Sequence, residues 1–452
     1  MLKKIFSYGF FEAISKGLNR SLIFCLPLFL STTDYGKVGI LISVELLLPA
    51  FTVFGLDRAL LRFFHEKKNY PSFTGTIFRG IFLTHSVLIL ITFFISLFVN
   101  PNLFGLSLFP DIFLLLILVF LQSLNLIFIN LYRAEENHGK YFKLKLLTSI
   151  IKVFVVILFL FEFSDYKSYL YGSIISLIIV LAWNLYHKNN ELKYFDFNTK
   201  TLRNITAFGW PFVMHGLSLN LLGHADKFVI ERMIGIEQVG IYTLAYSVGA
   251  SITFAFQGIS TFMEPLIYKE KDNKLRNLLL SKYFLFCFVS SIIFGVLLVF
   301  LSESLLTNFY KNEFNESLEL IPFIMMCFLL TPYYLKANYE LIYKKKTIYI
   351  ALCSIFCAIM NIIINIILIP DFGLKGAIIA TYIAYFAQNF LFTYYLNKQL
   401  FQREILEIVV LGAILLFVII FCISYYYTLG LLVVFALYKL LIFKNKANLT
   451  HV

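Results

Sequence analysis

The sequence predicts an all-α, polytopic membrane protein with about 12–14 transmembrane helices. Two observations predict this fold class. Of the 452 residues, 60% are hydrophobic, and Lys and Arg are concentrated in alternate connectors between the hydrophobic runs. A helix rises about 1.5 Å per residue, so about 20 apolar residues cross a hydrocarbon core of about 30 Å. Fourteen such runs follow one another, the last being short: Phe11–Leu30, Val38–Gly55, Thr76–Val99, Ile112–Tyr132, Phe142–Phe163, Tyr169–Tyr186, Ile205–Leu222, Val239–Ser260, Tyr283–Leu301, Leu318–Tyr339, Ile348–Ile369, Gly376–Leu396, Ile408–Tyr427 and Leu429–Phe443.

The charge of the connectors predicts the orientation of the chain. Connectors after even-numbered runs hold most of the 38 Lys and Arg residues, as in Lys269–Lys282 and Lys344–Lys346. Connectors after odd-numbered runs hold only Lys37, Lys167, Lys227, Arg232, Lys311 and Lys375. Cytoplasmic connectors carry the excess of Lys and Arg, so both termini are expected in the cytoplasm. The same loops account for the net charge of +12, and no nucleic-acid partner is expected.

The connectors are too short to fold as soluble domains. Membrane enzymes that act on sugars at the outer face need a sizeable outer loop with catalytic residues, whereas Ser31–Lys37 and Asn100–Pro110 are short. We therefore expect a protein that is not an enzyme.

Two weak internal repeats predict a duplication. Val38-Gly39-Ile40 is matched 201 residues later at Val239-Gly240-Ile241, and Gly172–Ile175 is matched 204 residues later at Gly376–Ile379. Six helices form each repeat, and an even number gives both halves the same orientation, as in parallel-repeat transporters. We expect an N-terminal six-helix bundle in residues 1–190, a second bundle in residues 191–400 and two additional helices in residues 401–452.

The first run carries three ionisable residues on one helix face. Glu12, Lys16 and Arg20 follow at intervals of four residues, which places them on one stripe. An interfacial helix is the alternative, but a span that began after Arg20 would extend only about 15 Å, too little to cross the membrane. Ionisable groups at bilayer depth face a cavity, so the stripe predicts a transport pathway. Snorkelling of Lys16 to the cytoplasmic surface is the main rival.

Other polar residues within the runs are weaker candidates. Glu45 could pair with Arg20 in a structural role, or it could titrate and couple transport to an ion. Lys152 is an isolated cation within its run. Asn125 and His215 are candidates for lining a cavity, although such groups more often hold helices together. His215 and His224 have a poor spacing for a shared metal, so neither a metal nor a cofactor is expected.

Three motifs resemble one family of transporters. They are Gly55–Phe64 (GLDRALLRFF), Ala225–Ile230 with Val239–Tyr246, and Asn361–Pro370 followed by Gly373 and Gly376–Thr381. Together they resemble Wzx-type polysaccharide flippases of the multidrug/oligosaccharidyl-lipid/polysaccharide (MOP) superfamily. The resemblance extends over roughly the first 400 residues. It implies two six-helix bundles around a V-shaped cavity that opens to either side by alternating access.

The resemblance also implies a cargo, a location and partners. The cargo is an undecaprenyl-diphosphate-linked oligosaccharide, moved across the bacterial cytoplasmic (inner) membrane for O-antigen, capsule or exopolysaccharide (lipopolysaccharide-type) biosynthesis. Membrane lipids, a polysaccharide polymerase and a chain-length regulator are the implied partners. Lys16, Arg20 and Lys152 are then the groups that we expect to hold the diphosphate, because Arg and Lys bind phosphate oxygens.

Three alternatives stay open on the sequence. A cation-coupled multidrug antiporter of the same superfamily would need an acidic cavity, whereas Lys16 and Arg20 favour an anionic cargo. A flippase for the peptidoglycan lipid precursor would carry the same diphosphate. A membrane glycosyltransferase or polysaccharide polymerase is disfavoured by the short outer loops.

Overall fold

The protein is helical throughout the part of the chain that the computed structural model describes, which is residues 2–67, 71–99, 101–187 and 198–396. Fourteen α-helices and one two-stranded hairpin lie in these ranges. This confirms the predicted all-α, polytopic fold class. The predicted spans Ile408–Tyr427 and Leu429–Phe443, and with them the region 401–452, lie outside the described residues.

The helices are numbered here in chain order. The first eight, with the hairpin between the fourth and fifth, are α1 Leu2–Phe29, α2 Thr32–Thr52, α3 Leu56–Lys67, α4 Pro71–Phe98, β1 Asn102–Leu103, β2 Leu106–Ser107, α5 Phe113–Ala134, α6 His138–Phe163, α7 Lys167–His187 and α8 Thr199–Ile234. The remaining six are α9 Ile236–Ala250, α10 Phe254–Lys269, α11 Asn273–Phe309, α12 Asn315–Phe328, α13 Thr331–Tyr343 and α14 Thr347–Leu396.

Nine helical stretches within the described ranges are long and apolar enough to cross a membrane: Thr32–Thr52, Phe73–Phe98, Leu108–Ala134, Gly139–Phe163, Lys167–His187, Ile236–Phe256, Asn273–Leu305, Asn312–Tyr343 and Ile348–Leu396. Helices α1 and α8 are not among the nine, and they carry the charged residues discussed below. The last stretch contains two predicted spans. The helix α3 was predicted as a loop, but it forms an amphipathic helix that buries Leu56, Ala59 and Leu60 and exposes Arg58.

The stretch α14 is a hairpin of two helical arms. Its backbone leaves the helical conformation at Gly373, where φ is 57°. The chain reverses there, and the two arms approach each other closely: a Cβ atom on Gly376 would lie 2.5 Å from the carbonyl oxygen of Leu368. Gln388 on the second arm donates a hydrogen bond to Ser354 on the first arm at 3.3 Å. The boundary predicted between the eleventh and twelfth spans therefore lies at a glycine whose positive φ ordinary side chains avoid.

The described residues group into two compact units. One unit is Ile14–Gly240, and the other comprises residues 2–13 and 241–396. The helix α8 belongs to the first unit, where it packs on α2, α3 and α4, although the sequence assigned it to the region 191–400. The six-helix duplication itself stays a prediction.

The hairpin β1–β2 packs against the end of α8 and the start of α9. Phe104 contacts the ring of Phe228 with centroids 4.9 Å apart, and Gly105 lies against Ile236. The following Asp111 is buried and accepts hydrogen bonds from the backbone of Ser107 and from Tyr166. Burial and the adjacent Asp111 raise the pKa of Tyr166, so its hydroxyl stays protonated and donates at neutral pH.

Candidate functional site

Helix α1 presents Arg20 inside the first unit. Ser15 and Asn19 lie on one face of this helix and both contact the Ser149 hydroxyl of α6, at 2.7 and 3.0 Å. This polar seam fixes the rotation of α1, because such hydrogen bonds hold helices together in lipid. Lys16 and Arg20 each follow a seam residue by one position; Lys16 is exposed and Arg20 is half-buried.

Helix α8 supplies a second buried cation. Lys227 is only 3% exposed, and the preceding Asp226 is fully buried. The Lys227 ammonium lies 3.1 Å from Nδ1 of His224. An ammonium can only donate a hydrogen bond, so Nδ1 of His224 accepts one here.

Arg20, His224 and Lys227 form one group, which we call the cationic cluster. Arg20 is close enough to act electrostatically on both His224 and Lys227. Two cations that repel each other inside a helical unit are costly unless an anion compensates them. Asp226 supplies part of this compensation, since its charge acts on Lys227. The arrangement can bind an oxyanion through one guanidinium and one ammonium.

A second buried group lies within the same unit. Glu45 of α2 pairs with Lys152 of α6 at 3.6 Å and accepts hydrogen bonds from Gln122 and from Tyr169, the latter at 2.8 Å. Lys152 also donates to the Tyr169 hydroxyl at 3.2 Å and lies over its ring. We call these four residues the Glu45 network, in which the carboxylate and the ammonium neutralise each other.

The comparisons with known proteins assign the chain to a family. The family described as polysaccharide biosynthesis protein matches residues 1–262, which is more than half of the chain. The chain belongs to the polysaccharide biosynthesis protein family. This membership agrees with the resemblance that three sequence motifs predicted.

Two curated relatives of this family member come from archaea. An uncharacterized membrane protein of Methanocaldococcus jannaschii is 28% identical over 248 residues, 52% of this chain and 58% of the relative. A probable low-salt glycan biosynthesis flippase of Haloferax volcanii, Agl15, is 20% identical over 289 residues, 62% of this chain and 60% of the relative. The chain therefore aligns with about three fifths of the length of each.

Solved structures show which fold the chain shares. The lipid II flippase MurJ, in an inward closed conformation, superposes with a TM-score of 0.66 at 19% identity, over 96% of this chain and 98% of MurJ. An inward-facing multidrug resistance transporter of the MATE family in the MOP superfamily gives a TM-score of 0.61 at 13% identity, over 87% and 96% of the two chains. At these identities the comparison establishes that the chain shares its fold with both structures.

The structure gives some of the predicted site residues partners within the protein. Lys152 was predicted to hold substrate with Lys16 and Arg20, but its charge is paired with Glu45. Asn125, a candidate for lining a cavity, is buried and donates to Thr148 on the neighbouring α6 at 3.3 Å. The side chains of Glu12 and His215 lie outside what the structure describes, so their roles stay predictions.

One prediction for this polysaccharide biosynthesis protein was wrong. Lys227 was predicted in a short outer loop after the seventh run, but it lies buried within α8. The prediction ended the span at Leu222 because the hydropathy falls at His224, Asp226 and Lys227. The missed signal was the absence of proline between Leu222 and Gly235, together with the Ala225-Asp226-Lys227 motif that carried the family resemblance.

Proposed function

We propose that this protein is a flippase that moves an undecaprenyl-diphosphate-linked oligosaccharide across the bacterial cytoplasmic membrane by alternating access. The cationic cluster is the observation that carries the proposal. A half-buried Arg20 and a buried Lys227 from different helices lie in one unit of a membrane transporter fold. The diphosphate is the anionic group of the proposed substrate, and both cations could bind it.

The chemistry of the cluster suits a diphosphate. The guanidinium of Arg20 offers a planar fork that can hold two phosphate oxygens, and the Lys227 ammonium acts as a point charge. A diphosphate that bound both side chains would offset the repulsion between their two positive charges. The exposed Lys16, four residues before Arg20, stays assigned to the same substrate, and Lys152 is assigned to the Glu45 network.

The comparisons support this proposal through their names and folds. Agl15 is named as a probable glycan biosynthesis flippase, and MurJ as a lipid II flippase. The first name describes a flippase in glycan biosynthesis and the second a flippase for a lipid, and the description of the polysaccharide biosynthesis family supports a substrate that combines the two. The surrounding membrane lipids, a polymerase and a chain-length regulator are the proposed partners.

The proposal is tested by substitution of the cluster in a cell whose surface polysaccharide depends on this protein. Arg20→Ala and Lys227→Ala should each abolish surface polysaccharide and cause the lipid-linked oligosaccharide to accumulate, because each removes a phosphate-binding cation. Arg20→Lys should retain part of the activity, since the charge remains without the fork.

The matched control is Arg62→Ala. Arg62 is exposed on α3 and pairs with Glu66, so its loss removes one positive charge outside the cluster. Membrane levels of each variant are measured alongside. Normal surface polysaccharide in Arg20→Ala and Lys227→Ala cells, at normal protein levels, would overturn the assignment.

The lipid precursor of peptidoglycan is the second candidate substrate, because the MurJ fold is shared and the diphosphate is the same. Transfer of each lipid across the membrane of proteoliposomes that contain the purified protein separates the two. A multidrug antiporter is disfavoured, because a cationic cluster repels a cationic drug.

A further inference from the structure

Arg276 is a buried cation in the second unit that the proposed function does not use. It is only 4% exposed, although it lies one turn into α11 among exposed residues. Its guanidinium stacks on the ring of Tyr343, the last residue of α13, at 3.8 Å from the centroid. Nη2 donates to the side-chain oxygen of Asn273 at 2.7 Å. Nε and Nη1 have no hydrogen-bond partner among the described residues.

Two carboxylates on the elements that carry Arg276 and Tyr343 bind other groups. Asp272 caps α11 and accepts hydrogen bonds from the backbone nitrogens of Lys274 and Leu275 at 2.7 and 3.0 Å. These bonds, aided by neighbouring cations, lower the pKa of Asp272. Glu340 pairs with Lys344 at 3.0 Å. The charge of Asp272 also acts on Arg276, but Nε and Nη1 keep donors that no acceptor among the described residues receives.

The surroundings of Arg276 attract anions. Its stacking on Tyr343 brings together two connectors, residues 269–282 and 340–347, which contain eight Lys and Arg against three Asp and Glu. The sequence predicts both connectors on the cytoplasmic side, where anionic lipid headgroups attract basic segments. A guanidinium whose N–H donors are unpaired can donate hydrogen bonds to the oxygens of a phosphate at this side of the membrane.

We propose that Arg276, held between Tyr343 and Asn273, binds a phosphate group at the inner end of the second unit. An anionic phospholipid headgroup and a free phosphate share this chemistry. Nε and Nη1 are covered in this structure, so binding requires the atoms that cover them to move aside. The bound phosphate supplies acceptors for Nε and Nη1, and it stabilises the second unit without taking part in transport.

The test compares unfolding temperatures of the purified full-length protein in maltoside detergent, followed with a thiol-reactive dye that reports exposure of the buried Cys287 and Cys327. Added phosphatidylglycerol should raise the Tm by about 2–4 °C, and phosphatidylcholine should raise it less. Inorganic phosphate is added separately against chloride of equal ionic strength. A response to phosphatidylglycerol alone identifies a lipid headgroup, and a response to inorganic phosphate identifies a free phosphate.

Two variants and one control assign the response to Arg276. Arg276→Gln removes the charge and should abolish the response. Asn273→Asp keeps the shape of its side chain but places a carboxylate beside Nη2, so it should raise the Tm in detergent alone and remove the response. Lys274→Gln removes one charge from the same connector at an exposed position and should respond as the natural protein does. Absence of any response in the natural protein, or an unchanged response in both Arg276→Gln and Asn273→Asp, overturns the proposal.

Discussion

At the scale of single residues, the sequence predicted which side chains carry charge inside the membrane but not their partners. Glu45, Lys152 and Arg20 were all recognised as costly groups at bilayer depth. Periodicity places a residue on a face of its own helix, but it does not say which distant helix that face meets. The pairing of Lys152 with Glu45, where the sequence had predicted that Lys152 holds substrate, follows from the packing of α2 on the bundle of α5, α6 and α7, which no local pattern records.

The Glu45 network predicts a specific pattern of stability. Glu45→Gln and Lys152→Gln should each destabilise the protein by about 3 kcal/mol, because each leaves one buried charge uncompensated. The double variant should lose less than the sum, because neither charge then remains. Thermal unfolding of the four proteins in detergent measures this coupling.

The same variant separates structure from ion coupling. If Glu45 is structural, transport by Glu45→Gln protein that reaches the membrane keeps its dependence on a pH gradient. Loss of that dependence, together with additive effects on stability, would assign Glu45 to proton coupling.

At the scale of elements, a reciprocal glycine contact joins the starts of α2 and α9. A Cβ atom on Gly36 would overlap the carbonyl oxygen of Ile236, and one on Gly240 would overlap that of Thr32. The two pairs are related by one offset, since 32 to 236 and 36 to 240 are both 204 residues. The repeat found at Gly172 and Gly376 has the same offset, and both of these glycines pack against the preceding helical arm. The sequence match had instead paired Gly240 with Gly39, at an offset of 201, and the duplication stays a prediction.

The contact predicts that these glycines tolerate no side chain. Gly36→Ala and Gly240→Ala should each destabilise the protein by about 1–3 kcal/mol, because the added methyl meets backbone atoms that cannot rotate away. Gly216→Ala is the control, since nothing lies within 4 Å of its position in α8 and alanine favours a helix. Unfolding temperatures in detergent should fall for the first two and stay level or rise for the third. If all three variants changed the unfolding temperature equally, the close approach of α2 and α9 at Gly36 and Gly240 would not contribute to stability.

At the scale of the whole molecule, the sequence predicted the membrane spans better than their assembly. Long apolar runs and turn residues such as Gly373 are local signals, and they identified most helices. Apolar side chains face lipid as readily as each other, so hydrophobicity does not select partners between helices. For this reason the sequence could not place α8 with the helices of the first unit. Helix α3 was missed because it is amphipathic. The charged residues on its exposed face gave the segment the composition of a loop.

The orientation of the chain is the last prediction, and it follows from the connector charges. The turn at Gly373 should lie outside the cell, because few basic residues surround it, and the Lys344–Lys346 connector should lie in the cytoplasm. In a variant without native cysteines, a membrane-impermeant maleimide should label Asp371→Cys in intact cells, since Asp371 is exposed. Lys345→Cys, exposed on the preceding connector, should be labelled only after the membrane is opened. Reporter fusions after Leu400 and at Val452 should both give a cytoplasmic signal. Labelling of Lys345→Cys in intact cells would reverse the orientation, and an outward signal at Val452 alone would mean that Leu429–Phe443 does not span.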